Sequence, residues 1–200
     1  MLNVTDSLNL LKLEGLPVIK TFKVDSIEAL EIAVRDTGFP LVLKINSPEH
    51  KTDKGGVMVG IQSFDEAITA LKKLLKISKD VVAQPQAKGL ELSLGIKKDP
   101  VFNQVILFGI GGVLIELLKD ISLRICPITK VEAKEMINEL KSAVFLKGYR
   151  GGLKVNIDLL ADLISNLSRI ALRHDIKELD INPLIAKDND LFIVDSRIKL

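Results

Sequence analysis

The pattern of apolar runs changes character near residue 80, and that change constrains the fold more than any single motif. Before it, strand-like and helix-like segments alternate in βαβ fashion. After it, residues 81–84, 91–97, 104–109 and 113–118 are strand-like runs separated only by Pro85, Lys88-Gly89, Asp99-Pro100 and Gly111-Gly112. Strands so closely spaced cannot be parallel neighbours, which need crossovers of a dozen or more residues, so they belong to an antiparallel or mixed sheet. The expectation is an α+β chain, one domain over residues 1–200 made of two lobes in contact, the first roughly 1–80 and the second 81–200.

Helix signals punctuate this order. Asp6 or Ser7 is placed to cap a first helix carrying Leu8, Leu11 and Leu13 and ending at Gly15. Asp25 with Glu28, Ser63 with Glu66, and Thr129 with Glu132 have the spacing of capping boxes. The third opens a helix ending near Leu140. A longer helix is expected over 157–174, with Leu159, Leu160, Leu163, Ile164 and Leu167 on its apolar side. Two strands, 178–186 and 191–195, close the chain.

Composition narrows the function classes. With 47% hydrophobic residues the chain has ample material for a core, and 28 basic against 26 acidic residues leave no bulk attraction for nucleic acid or a membrane surface. Any anion site is therefore local. No apolar run reaches membrane-spanning length and no basic leader opens the chain, while the single cysteine, Cys126, reads as a small core residue. A cytoplasmic location is expected.

The first candidate site is Leu41–Ile45, a branched apolar run interrupted by Lys44, followed by a polar loop with His50, Lys51, Asp53 and Lys54 that ends in Gly55-Gly56. Period two puts Lys44 with Val42 on one strand face. Two readings stand: the lysine meets the phosphates of a ligand approached by the glycine backbone, or it snorkels to water beside an ordinary tight turn. No Walker-type phosphate loop is present. His50 orients or accepts a phosphoryl group, or caps a turn; His174, at a helix end beside Arg173, reads as surface.

The closing hairpin is the second. A turn centred on Asp188-Asn189 pairs Ala186 with Leu191, Leu184 with Ile193 and Asn182 with Asp195, with Asp180 two residues along on the same face. A carboxylate and an amide oxygen side by side suit magnesium that takes its remaining ligands from water and phosphate; a solvent-facing polar edge suits them equally. Glu116, inside 113–118, needs a cationic or metal partner or a solvent position.

These stretches resemble a known family. Gly38 to Ile45, Ser47-Pro48 with 50–57, 99–102, 108–120, Arg124 with Pro127, 146–151, 178–184 and 195–198 are similar, in order and over essentially the whole chain, to the ATP-grasp β subunit of ADP-forming acyl-CoA (acetyl-CoA) synthetases, relatives of the succinyl-CoA synthetase β subunit. The resemblance implies a two-lobed ATP-grasp fold with mixed or antiparallel sheets clamping a nucleotide. It implies an acid–thiol ligase that reversibly converts acyl-CoA, ADP and phosphate into acid, CoA and ATP. Activity requires a separate CoA-binding (α) subunit that also holds the acid, hence a hetero-oligomer. ATP or ADP is to be bound by Lys44, Gly55, Gly56, Gln84 and Glu91, and magnesium by Asn182 and Asp195. His50, which relays a phosphoryl group in the family, Asp180 and Arg124 are the catalytic candidates. The chain departs from the family at Gln84, where a glutamate is usual, and at Leu90, where an arginine is common. The competing expectations are a non-catalytic sensor of nucleotide or acyl-CoA and a carboxylate–amine ligase.

Overall fold

A computed structural model of the chain describes residues 1–47, 55–111 and 120–200. The readings placed on His50 and its loop and on Glu116 and the run 113–118 lie outside the described residues. Two antiparallel sheets carry the architecture. By backbone contacts the chain forms two compact units, one of Asn3–Thr5 with Ile19–Ala87 and one of Met1–Leu2, Asp6–Val18 and Lys88–Leu200.

The smaller unit holds β1 (Phe22–Lys23), α2 (Ile27–Thr37), β2 (Leu41–Ile45), β3 (Val57–Ile61), α3 (Phe64–Leu74) and β4 (Val81–Pro85), its strands ordered β1-β4-β2-β3. β4 pairs with both β1 and β2, so this sheet continues past residue 80. Leu41, Leu43 and Ile45 share a buried cluster with Leu30 and Ala33 of α2 and with Ala67, Leu71 and Leu74 of α3. Those spacings, i, i+3 and i+4, turn the apolar stripe of each helix onto the sheet.

Two caps differ in detail from the sequence expectation. α2 is capped by Ser26, whose Oγ accepts from the Ala29 N–H at 3.2 Å, not by Asp25. Ser63 does accept from the Glu66 N–H, but the Glu66 carboxylate takes the N–H of Gln62 at 2.8 Å, so the box is not reciprocal. α1 (Val4–Leu13) begins before the expected Asp6 or Ser7 cap.

The larger unit holds β5 (Leu90–Asp99), β6 (Asn103–Ile110), β7 (Ile121–Ile125), α4 (Lys130–Glu139), α5 (Ala143–Leu146), a short 3-10 turn (Tyr149–Gly151), α6 (Ile157–Arg173), β8 (Glu178–Lys187), β9 (Asp190–Ile193) and β10 (Ser196–Lys199). The path is β10-β8-β5-β6-β7, with β9 paired to β8. β7 was not anticipated, although Ile121, Leu123 and Ile125 alternate with Ser122 and Arg124. Its alternation is exposed–buried in the reverse of the usual sense, leaving the apolar side in solvent. The reciprocal capping box of Thr129 and Glu132 forms as the spacing predicts. Gly89 is required for close approach: a Cβ there meets the Ala186 carbonyl oxygen at 2.6 Å, too near for any side chain. Among the described residues no helix is long and apolar enough to cross a membrane.

Candidate functional site

Lys44 lies in the interior of its sheet, opposite Val57 on β3 and Val82 on β4. Every residue of β2 is buried, and Lys44 itself is only 3% exposed. That excludes snorkelling, which keeps the ammonium in water. A lysine is held at such depth by oxygen atoms or anions, because a bare ammonium in apolar surroundings costs several kcal/mol or more.

Gly55 has φ +66° and open space around it, a turn position at the start of β3. The carbonyl of Gly56 accepts from the Ile45 N–H at 2.9 Å and so extends the β2–β3 ladder. Gln84 is fully buried on β4, and its side-chain nitrogen donates to Thr21 Oγ1 at 2.9 Å. These four positions belong to one unit.

In the other unit, Glu91 is exposed near the start of β5, and its carbonyl accepts from the Gly111 N–H at 2.6 Å. A Cβ at Gly111 sits 3.0 Å from that oxygen, so Gly111 serves close strand contact here. The hairpin register is the expected one at Ala186–Leu191 and Leu184–Ile193. Beyond it β9 ends and β10 begins, pairing with β8 at Ile181 and below. Asp195 occupies the corner, where its carbonyl accepts from the Asn182 N–H at 3.3 Å. Asp180 lies on β8 opposite Arg197 of β10 and Gly95 of β5.

Directly paired residues of an antiparallel sheet share a face. The row Asp180–Gly95–Leu107–Leu123 is therefore on one face, and the row Leu179–Ile96–Ile106–Arg124 on the other. Arg124 points with the second row, where it ion-pairs with Glu139 of α4 and donates to the Leu123 carbonyl at 2.8 Å. Glu139 also accepts from Ser122 Oγ at 2.8 Å. The bond from Arg124, then that from Ser122, holds the Glu139 carboxyl below the usual carboxylate range, and Glu139 in turn raises the guanidinium. The structure thus brings Asp180, Asn182 and Asp195 into one neighbourhood and gives Arg124 a bond to a helix on the opposite face.

Two further titratable side chains, Cys126 and His174, are accounted for by burial and pairing. Cys126 is buried and its thiol is pushed up to about 12 by desolvation, so it is no thiolate nucleophile. His174 is not a free surface residue: its Nε2 is 2.6 Å from Glu14, which Arg173 also contacts at 2.7 Å. Among the described residues no three His, Cys, Asp or Glu side chains gather as a metal cage.

A family profile described as an ATP-grasp domain matches residues 1–200. The chain is 39% identical over 207 aligned residues to the β subunit of ADP-forming acetate–CoA ligase I of Pyrococcus furiosus, covering 96% of this chain and 88% of that one. It is 35% identical to ADP-forming acetate–CoA ligase II of Archaeoglobus fulgidus over 96% of its own length, yet spans only 29% of that longer polypeptide. Among solved structures it resembles the dinucleotide-forming acetyl-coenzyme A synthetase 1 of Ca. Korarchaeum cryptofilum in complex with coenzyme A and Ca-AMPCP. The TM-score is 0.93 at 34% identity, covering 100% of this chain and 93% of that one. Another structure of that synthetase holds Mg-AMPPCP with a phosphohistidine segment pointing towards the nucleotide binding site; it gives a TM-score of 0.86 at 34% identity and covers 98% and 91% of the two chains.

Proposed function

The chain belongs to the ATP-grasp family, and from that premise we propose that it is the nucleotide-binding, phosphoryl-transferring subunit of an ADP-forming acyl-CoA synthetase. The enzyme is an acid–thiol ligase interconverting acyl-CoA, ADP and phosphate with acid, CoA and ATP. The observation that carries this reading is the 39% identity to a stand-alone β subunit across nearly the whole of both chains. A companion (α) subunit supplies CoA and acid binding, giving a hetero-oligomer in the cytoplasm.

The chemistry of the residues fits a magnesium nucleotide. Lys44, buried on β2, directs its charge at the phosphates; Gly55 and Gly56 let backbone come close to them; Gln84 and Glu91 take the adenine and ribose. Asn182 and Asp195 offer the metal hard oxygens, with Asp180 alongside. Magnesium, when bound, neutralises charge on the transferring phosphoryl oxygens. His50, outside the described residues, accepts the phosphoryl group through a neutral ring nitrogen: the phosphorus–nitrogen bond forms as the bond to the leaving oxygen breaks, and a terminal oxygen of ADP then takes the group. Arg124, a catalytic candidate from the resemblance, acts through its bond to Glu139 as a positioning residue.

The test is acyl-CoA-dependent ATP formation by the purified chain mixed with its companion subunit, with acid-labile, base-stable phosphate mapped by peptide. ATP formation that needs both subunits, with label at His50 and neither seen in His50→Ala, is the expected result. Nucleotide binding without any ATP formation in the mixture sinks the enzymatic reading.

A further inference from the structure

The segment from Lys147 to Lys154 connects α5 to α6 and has no part in the roles above, although its sequence, Lys-Gly-Tyr-Arg-Gly-Gly-Leu-Lys, stands out along the chain. It is a closed, hydrogen-bonded turn. Lys147 and Lys154 form an antiparallel bridge, the Val155 N–H donates to the Leu146 carbonyl at 2.9 Å, and the Gly152 N–H to the Tyr149 carbonyl at 3.0 Å. Its tip holds Arg150 at φ 52°, ψ 37°, in left-handed backbone. The other non-glycine residues at positive φ among the described ones are Asn103, Asp175 and Asp188, types that tolerate it; arginine does not by preference.

What the turn displays is apolar, aromatic and basic. Phe145 and Tyr149 meet edge to face, centroids 6.0 Å apart at 85°, and the Arg150 guanidinium sits 5.3 Å from the Tyr149 ring centre. Val144, Phe145, Tyr149 and Leu153 are all exposed, Tyr149 by 48%. No acidic residue occurs between Ala143 and Lys154. Lys20, Lys98, Lys130 and Lys134 each find a carboxylate, whereas Lys147, Arg150 and Lys154 ion-pair with none among the described residues. Rigid, solvent-facing Tyr, Phe and Arg are the composition of an interface anchor, and a preformed turn loses little freedom on binding.

We infer that this turn docks the companion subunit, into an apolar depression rimmed by carboxylates. The inference rests on the functional reading above. Its occupant follows from the comparisons: the same domain is a separate β subunit in one relative and 29% of a single polypeptide in another. What a peptide link achieves in the second must be achieved by a surface in the first. Aromatic anchors favour a partner with apolar surface, and three cations without a carboxylate beside them favour an acidic rim around it.

Two variants test it, each measured for association with the companion subunit of the same organism and, separately, for ATP binding by the isolated chain. Tyr149→Ala removes the anchor. Arg150→Gly removes the guanidinium while suiting the backbone, so it does not threaten folding. Each should weaken subunit association about tenfold or more and leave ATP affinity within about twofold. ATP formation should return to the wild-type kcat at high companion concentration. Association unchanged in both variants overturns the proposal. So does a matching loss of ATP affinity in the isolated chain, which assigns the turn to the nucleotide site. A wild-type chain that binds ATP but not its companion overturns docking and leaves nucleotide binding standing.

Discussion

The main-chain N–H of Asn182 donates to the carbonyl of Asp195 over 3.3 Å, at the corner where β8 leaves β9 for β10. Two residues 13 apart in sequence are thereby locked as neighbours by backbone alone, whatever their side chains do. A site built on that corner keeps its geometry when one side chain is removed. Asp195→Ala should therefore fold normally, weaken ATP binding in magnesium, and change it little in EDTA. Calorimetric titration under both conditions decides; equal loss in each removes the metal assignment.

Lys44 offers a sharper separation of binding from stability. Lys44→Met keeps most of the stem in the β2 interior and deletes the charge, so the apolar packing of the strand is retained while the ammonium is lost. Loss of one charge-assisted contact to phosphate predicts ATP binding weaker by about 1.5–3 kcal/mol, roughly tenfold or more. Unchanged affinity would return Lys44 to a purely structural role.

Where local pattern and tertiary packing agree, the sequence was readable. Leu41–Ile45, the helix at Ile157–Arg173 and the hairpin register at Leu184–Ile193 all follow from period and turn chemistry. Asp25 and Ser26 are both good caps, and spacing cannot choose between adjacent acceptors; the extended backbone of Ser26 does. β7 carries its alternation openly, Ile121, Leu123 and Ile125 against Ser122 and Arg124, yet the spacing of the neighbouring runs gave no strand there. Its apolar residues face outward, against the rule that would have flagged them as core. Among the site residues, the depth of Lys44 chose between two readings that the strand pattern left open. The partner of Arg124 was not, because Glu139 lies 15 residues away on a helix and only the sheet register brings them together.

Glu14 should make stability fall in acid. Its bond to His174, with Arg173 nearby, holds the carboxyl below the ordinary glutamate value of 4.5. A depressed folded-state value means the contribution is full above 4.5 and is lost as pH falls below it toward the folded value. Glu14→Gln should thus lower the urea midpoint at pH 7 and differ progressively less from wild type below pH 4.5. A gap that is constant with pH would mean the glutamate contributes through packing alone.

Arg124 decides between two assignments that the sheet register sets apart. If it touched reacting atoms, its removal would lower kcat by orders of magnitude while leaving stability alone. The register instead puts it on the Leu179–Ile96–Ile106 row, opposite the face of Asp180, with its guanidinium on Glu139. Half of the Glu139 side chain is in solvent, so the pair is screened and is worth about 0–1 kcal/mol. Arg124→Met should accordingly cost less than about 1 kcal/mol in urea unfolding, and Glu139→Gln added to it should cost almost nothing more. With the companion subunit present, any fall in ATP formation should be modest and should be reproduced by Glu139→Gln alone, since both changes loosen α4 from β7. A loss of kcat of a hundredfold or more, about 2.7 kcal/mol of barrier, in Arg124→Met but not in Glu139→Gln would place the guanidinium at the transferring phosphoryl group instead.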